Sequence, residues 1–295
     1  MTRRLRVRFS GEIVLILTAL SIIALLNGAC MHTRAWSNGG YSANTSNPDY
    51  GTHDWIAEKA LTLQTRDVSF LAGEYHTRYL LGTEAPDNPD YIGDTRNHHV
   101  YFHSSGTLQD DAAAVRASQS YTQASTYLRA GDRSNASYYL GIMSHYISDV
   151  GVYAHTMGNG TDWGAETHHS DYEQHFESIL DTLSLPAGLT MVSVDAYNAT
   201  LQLARDTTFG NGTVKANTWM DANYDWSDAA QYVPSAMRSL HISVIAVASA
   251  IDQLLYEAGT KAGKKDSNTA IFVLTVAAVF ATSGILVVRS TRRRR

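Results

Sequence analysis

Cysteine is almost missing from this sequence. The chain of 295 residues contains one, Cys30, which stands at the end of an apolar run near the N-terminus. The long region after that run therefore has no thiol. This absence excludes a disulfide framework and a metal site built on thiolates, the usual ligands of structural sites.

Strand-like alternation of apolar and polar residues is missing as well. No segment of five or more residues alternates convincingly, and no internal repeat is visible. Apolar residues instead recur at helical spacing, separated by segments rich in Gly, Pro, Asn and Asp. We therefore predict an all-α fold, a single multi-helix globular domain. The predicted helices cover residues 53–63, 71–81, 110–130, 136–150, 169–183, 194–206 and 234–258.

Basic residues are scarce between the two ends of the chain. Residues 36–268 contain 13 Lys and Arg against 27 Asp and Glu, a net charge of −14 that the basic ends reduce to −5 overall. An acidic surface repels polyanions at long range, so nucleic acid is an unlikely partner. The same region holds five Asn-x-Ser/Thr sequons compatible with a glycoprotein. They begin at Asn44, Asn135, Asn159, Asn198 and Asn211.

Both ends of the chain carry targeting or membrane features. Four arginines in residues 1–12 precede the apolar run 13–26, the pattern of a secretory signal peptide or signal anchor. Residues 269–288 have no charge and are long enough to cross about 30 Å of hydrocarbon; the arginines after them favour a cytoplasmic C-terminus. We thus predict a single-pass protein of the cell membrane with its domain outside. Its order is signal segment 1–35, domain 36–262, linker 263–268, transmembrane helix 269–288 and basic tail 289–295.

Two residue pairs in the second half of the domain are candidate metal ligands. His145 and Asp149 are four apart, so on a helix both side chains project from one face. His169 and Glu173 repeat that spacing, and His155 stands between the two pairs. A single such pair is most often a surface ion pair, but two close together favour a metal site. Imidazole and carboxylate ligands without thiolates are typical of catalytic zinc.

Further candidate ligands lie upstream of these pairs. His53 stands at the start of a predicted helix, where a capping or core role is equally compatible with its position. Asp87 and the pair His98 and His99 lie in the predicted loop 82–110, and loops of that length in compact domains are usually functional.

Taken together, these positions resemble the bacterial zinc-dependent phospholipases C, including the clostridial alpha-toxin type. The resemblance rests first on the spacing of His145, Asp149 and His155 and of His169 and Glu173. Other support is Gly-Thr-His at 51–53, Leu-Gly-Thr-Glu-Ala-Pro-Asp at 81–87 with His99 twelve residues later, and Trp36 at the family's N-terminal tryptophan. It covers residues 36 to about 258 and implies an all-helical phosphodiesterase that cuts phospholipid headgroups.

The resemblance also implies three zinc ions, or two if Trp36 is not the mature N-terminus. A water held between zinc ions would become a hydroxide nucleophile, because its pKa falls toward 7, and Asp87 is a candidate general base. His98 replaces His99 if the loop slips by one residue. Gly39 stands where the family's choline site has an acidic residue, so a choline preference does not carry over. The implied ligands are Asp87, His99, His145 and Asp149 for the first ion, His155, His169 and Glu173 for the second, and Trp36 and His53 with a bridging Asp149 for the third.

Two other functions remain open from the sequence. One is a single-strand-specific zinc nuclease, because the fungal zinc nucleases share a trinuclear site, although their last motif ends in Asp where Glu173 stands. The other is a non-catalytic surface protein on the same scaffold. The sequence predicts a phospholipid or other phosphodiester substrate and no protein partner. It leaves open the headgroup, the side of the phosphate that is cut, and the oligomeric state.

Overall fold

The computed structural model describes residues 36, 38–40, 42 and 44–260. The predicted signal segment, linker, transmembrane helix and basic tail lie outside these residues. The described part is mostly helical, which confirms the predicted fold class. Its α-helices are α1 Thr52–Thr62, α2 Glu74–Glu84, α3 Ala112–Arg129, α4 Arg133–Asp149, α5 His169–Ser178, α6 Ala196–Phe209, α7 Asn217–Ala222 and α8 Tyr232–Glu257. Short 3-10 helices cover Ser69–Leu71, Tyr153–Thr156 and Leu180–Thr182, and strands β1 Tyr101–Phe102 and β2 Leu108–Asp110 form an antiparallel hairpin.

Two elements and several helix ends differ from the prediction; the helix predicted over 169–183, for example, ends at Ser178. The hairpin was not predicted because its strands have only two and three residues, too few for an alternating pattern. Helix α7 has six residues and lies in a segment that reads as loop. Helix α2 was predicted to stop before Gly82 but continues to Glu84. Glycine is unfavourable within a helix, and here the packing against α4 explains its presence.

Helix α4 runs through the centre of the core. Every residue from Leu140 to Asp149 is buried, and the helix packs against α1, α2, α3, α6 and α8. It begins at the side chain of Asp132, which accepts a hydrogen bond from the backbone N–H of Asn135 at 3.0 Å. Just beyond its end, a Cβ on Gly151 would lie 2.0 Å from the Ser243 Oγ of α8. A side chain at residue 151, where the chain turns from α4 toward His155, would therefore have to displace the Ser243 hydroxyl.

Two glycines let α2 and α4 touch. A Cβ on Gly141 would lie 2.0 Å from the backbone oxygen of Tyr79, and one on Gly82 would lie 2.1 Å from that of Tyr138. We expect Gly141→Ala to destabilise the fold by about 3 kcal/mol or more, because the clash with backbone outweighs the ~1 kcal/mol gain in helix propensity. Chemical denaturation followed by circular dichroism measures this. Ser134→Ala, near the half-buried start of the same helix, should change stability by less than ~0.5 kcal/mol, and equal stability of the two variants would contradict the close contact.

Helix α8 is the one helix of the described region that is long and apolar enough to cross a membrane by length and composition. However, 67% of its most apolar window is buried inside the fold. Ser235, Ser239 and Ser243 line part of its buried face, and the Ser239 hydroxyl donates a hydrogen bond to the Gly151 carbonyl. These contacts are those of a core helix. The span predicted at 269–288 lies beyond the described residues.

Candidate metal centre

His145 and Asp149 lie side by side on α4, as their spacing predicts. Neither side chain is exposed, and the His145 Nε2 lies 3.2 Å from the Asp149 Oδ2. The His145 Nδ1 lies 2.7 Å from the backbone carbonyl oxygen of Thr83 on α2. A carbonyl only accepts hydrogen bonds, so Nδ1 carries the proton and Nε2 is left free to bind a cation. The contact between α2 and α4 thus sets the tautomer of His145.

Asp149 stands between three imidazoles. Its Oδ1 lies 3.2 Å from the His53 Nε2, and its Oδ2 lies 2.7 Å from the His98 Nδ1. Burial alone would raise the pKa of Asp149, but the charges of His145 and His98 hold that pKa well below its usual value. His53 is fully buried, and burial together with His145 lowers its pKa to about 3. These directions favour a carboxylate at Asp149 and a neutral imidazole at His53, the forms that bind metal.

Asp87 and His98 come from the loop after α2 and meet His145. The Asp87 Oδ1 lies 3.7 Å from the Nε2 atoms of both His98 and His145. The Asp87 Oδ2 accepts a hydrogen bond from the Asn38 Nδ2 at 2.9 Å. Burial raises the pKa of Asp87, and the two histidines oppose that rise. Burial lowers the pKa of His98, but the charges of Asp149 and Asp87 outweigh it and raise the pKa to about 9.

The loop that carries His98 is fixed by Asp94. The Asp94 carboxylate accepts hydrogen bonds from the Arg116 Nε and the Tyr146 hydroxyl, each at 3.0 Å, and from Asn97. The backbone oxygen of Asp94 contacts the His98 Nε2. Together these contacts hold the His98 ring toward α4.

The structure places His98 and His99 against different partners. The His99 Nε2 lies 3.3 Å from a carboxylate oxygen of Asp110, whose side chain is 46% exposed, and the His99 ring stacks on Tyr101 at 4.2 Å. His99 is thus turned toward the hairpin, away from Asp149. The two histidines thus have different partners, and only one of them contacts Asp149 on α4. That residue is His98, which the sequence kept as the alternative.

A third group forms between the 3-10 helix after α4 and helix α5. The Glu173 Oε1 lies 2.7 Å from the His169 Nε2 and 3.7 Å from the His155 Nε2. Burial raises the pKa of Glu173 to about 7 although His169 opposes it. Burial and the neighbouring His169 lower the pKa of His155 well below its usual value. Burial lowers the pKa of His169, but Glu173 and Glu166 outweigh it and raise the pKa to about 10.

The three groups fit a cation such as zinc. Ligand atoms about 2.0–2.1 Å from a tetrahedral zinc lie roughly 3.3 Å apart. The ring nitrogens of His98 and His145 face each other at 3.2 Å, and those of His155 and His169 at 3.1 Å. Within each group the candidate ligand atoms lie within 4.8 Å of one another. Three buried atoms of these groups also form no hydrogen bond of good geometry, although each lies within 3.2 Å of another candidate ligand atom, and a bound cation would satisfy them. They are the His53 Nε2, the Asp149 Oδ1 and the Glu173 Oε1.

Trp36 lies against the same helix. Its side chain is fully buried, and its Nε1 donates a hydrogen bond to the Ser148 carbonyl at 2.8 Å. Its ring packs between Tyr172 at 5.5 Å and Phe176 at 4.8 Å. The Ser148 hydroxyl lies 2.9 Å from the Nδ1 of His53. Trp36 is therefore held next to the group formed by His53, His145 and Asp149.

Several contacts of the site were missed by the sequence analysis. Thr83 contacts His145 through its backbone oxygen, which any residue type would supply. Asn38 contacts Asp87, which is 49 positions away in the sequence. Neither contact can be recognised from a sequence pattern. Glu166 lies 3.6 Å from the His169 Nδ1 and comes three positions earlier. Glu166 lies in the loop before α5, so helical spacing does not predict its contact with His169.

Fold and site define a class: a mostly helical protein whose buried histidines and carboxylates form three groups that could each hold a metal ion. The family model for zinc-dependent phospholipase C matches residues 52–229, more than half of the chain, and the chain belongs to this family. No curated protein matches the sequence significantly.

Solved structures show the same fold. The chain is similar to the alpha-toxin of Clostridium absonum, with 16% identity and a TM-score of 0.55 over 77% of this chain and 68% of that one. It is also similar to the alpha-toxin of an avian strain of Clostridium perfringens, with 17% identity and a TM-score of 0.52 over 77% and 67% of the two chains. At this identity the likeness is one of fold.

Proposed function

We propose that the chain is a membrane-anchored zinc phosphodiesterase that hydrolyses phospholipid headgroup phosphodiesters outside the cytoplasm. The observation that carries the proposal is the presence of three candidate ligand groups in one buried region, two of which share His145. The His98 and His155 rings, from the first and second proposed zinc sites, have centroids 6.4 Å apart, so these sites adjoin. Adjoining metal ions suit phosphodiester cleavage, because charge develops on both the attacking and the leaving oxygen.

The proposed ligand sets follow the family with one change, His98 in place of His99. Asp149 contributes to two sets because its two oxygens face different imidazoles. Trp36 is a ligand through its amino group only in a chain that begins at this residue, which would give three zinc ions instead of two. The sets are Asp87, His98, His145 and Asp149; His155, His169 and Glu173; and His53 and Asp149 with Trp36.

When bound, zinc supplies positive charge to the phosphoryl oxygens and lowers the pKa of water toward 7. The residues of the chain orient and protect this chemistry. Thr83 keeps the His145 Nε2 free, and Asp94 holds the His98 ring. Asp87 is the candidate to accept a proton from the attacking water. The glycerol oxygen takes up a proton as its bond to phosphorus breaks.

The ends of the chain and the domain charge support a lipid substrate. The apolar segment 269–288 would hold the domain at a bilayer surface, where the local concentration of phospholipid is high. The net charge of −14 on residues 36–268 disfavours nucleic acid.

A product analysis tests the proposal. The full chain in detergent, loaded with zinc, is incubated in parallel with mixed phospholipid vesicles and with single-stranded DNA. We expect diacylglycerol and phosphorylated headgroups, no nucleotides, and loss of activity on chelation that added zinc reverses. Bound zinc, measured on the same sample, should be two ions per chain, or three if sequencing shows an N-terminus at Trp36. Phosphatidic acid as product would move the cut to the other side of the phosphate, and nucleotides alone would reject the lipid substrate.

A further inference from the structure

Asn38 contacts one of the candidate ligands directly. Its side chain is 2% exposed, and its Nδ2 donates a hydrogen bond to the Asp87 Oδ2 at 2.9 Å. The other oxygen of the same carboxylate lies 3.7 Å from the Nε2 atoms of His98 and His145. An ionised carboxylate only accepts hydrogen bonds, so the amide must present its NH₂ group to Asp87. The two oxygens of Asp87 thus have separate partners.

The segment around Asn38 is held on both sides. The indole of Trp36 donates to the Ser148 carbonyl at 2.8 Å, and the backbone N–H of Ser42 donates to the Glu84 Oε1 at 2.6 Å. Between them, Gly39 has a φ of +71°, and a Cβ there would lie 2.5 Å from the Tyr50 backbone oxygen. Glycine is the residue that adopts this conformation without strain. The conformation of Gly39 and the contacts of Trp36 and Ser42 are thus compatible with the Asn38 side chain lying beside Asp87.

The Oδ1 atom of Asn38 indicates that this side chain does more than fill space. Its Oδ1 is buried and has no hydrogen-bond partner among the described residues. An unpartnered buried amide oxygen costs free energy, and an apolar side chain of similar size would avoid that cost. The benefit of the asparagine must then come from its NH₂ group, whose acceptor is the Asp87 carboxylate.

We propose that Asn38 is a positioning residue of the metal centre, whose amide fixes the rotamer of Asp87 so that Oδ1 faces His98 and His145. The inference rests on the proposed zinc site. Hydrogen bonds to metal-ligating carboxylates orient the ligand, and their loss weakens metal binding about tenfold to a hundredfold. Asn38 acts through Asp87, the candidate ligand that its amide contacts.

The test compares Asn38→Leu and Asn38→Ala in the full chain. Both variants lose the amide donor, but only the leucine fills the space. We expect both to bind one zinc ion about tenfold to a hundredfold more weakly, measured by competition with a chelator, and to change the visible spectrum of the cobalt-substituted protein alike. Asn44→Ala serves as the matched control, because Asn44 lies exposed in the same segment and its side chain bonds Ser46. It should leave affinity and spectrum unchanged.

A double variant separates a direct effect from a general loosening. In an Asp87→Ala background, Asn38→Leu should cause no further loss of zinc affinity, because its partner is already gone. Wild-type affinity and spectrum in Asn38→Leu, with loss only in Asn38→Ala, would overturn the proposal and leave Asn38 a packing residue. None of these measurements uses a phospholipid. If the protein binds zinc but cleaves no lipid, the proposed function is rejected. The zinc measurements on the Asn38 variants would still test the role of Asn38.

Discussion

Asp149→Asn should remove at least one zinc ion and lower the hydrolytic rate on the order of a thousandfold or more. The substitution keeps the shape of the side chain but removes its negative charge and replaces one oxygen with an NH₂ group. In the native protein the two oxygens of Asp149 lie 3.2 Å from the His53 Nε2, 2.7 Å from the His98 Nδ1 and 3.2 Å from the His145 Nε2. An asparagine offers one acceptor oxygen, so it can serve one of the two proposed ion positions at most.

The measurement is bound zinc per chain together with the rate on phospholipid vesicles. Circular dichroism should show nearly native helical content, because the isosteric side chain leaves the packing of α4 in place. Asp171→Asn is the matched control: the same chemical change on α5, at a side chain that is 68% exposed. It should retain zinc and activity. A full complement of zinc and an undiminished rate in Asp149→Asn would rule out this residue as a shared ligand.

What could be predicted from the sequence depends on whether rigid backbone connects the residues. His145 and Asp149 lie on one helix, and so do His169 and Glu173, so a spacing of four positions is enough to bring each pair together. The all-helical fold could be read for the same reason, since the apolar stripes recur over long segments. Both predictions needed only the period of the α-helix.

The remaining parts of the site depend on contacts between distant segments. The approach of α2 to α4 relies on Gly82 and Gly141, and a single glycine within a helical pattern gives no sign of what it touches. That approach brings the Thr83 carbonyl to His145. Asn38 reaches Asp87 from an irregular segment with no periodic pattern. Such contacts follow from tertiary packing, and one sequence contains no direct record of them.

The sequence identified the pair His98 and His99 but not which of the two is the ligand, and a comparison of two variants decides this. We expect His98→Ala to lose one zinc ion and to lower the hydrolytic rate at least about a hundredfold, and His99→Ala to stay close to the wild type. The His98 side chain is 10% exposed and contacts Asp149, whereas His99 makes a partly exposed pair with Asp110. Partly exposed pairs of this kind contribute little free energy.

Each of the two variants is the control for the other. They remove the same side chain from neighbouring positions of one loop, so a general disturbance of the loop would affect both alike. Zinc content and rate are measured on both proteins, and thermal unfolding identifies any loss of fold. A severe effect in His99→Ala with a mild one in His98→Ala would restore the ligand spacing that the family resemblance implies. The expected order would instead identify His98, the eleventh residue after Asp87, as the ligand. The loop fixed by Asp94 would then determine which histidine reaches the metal centre.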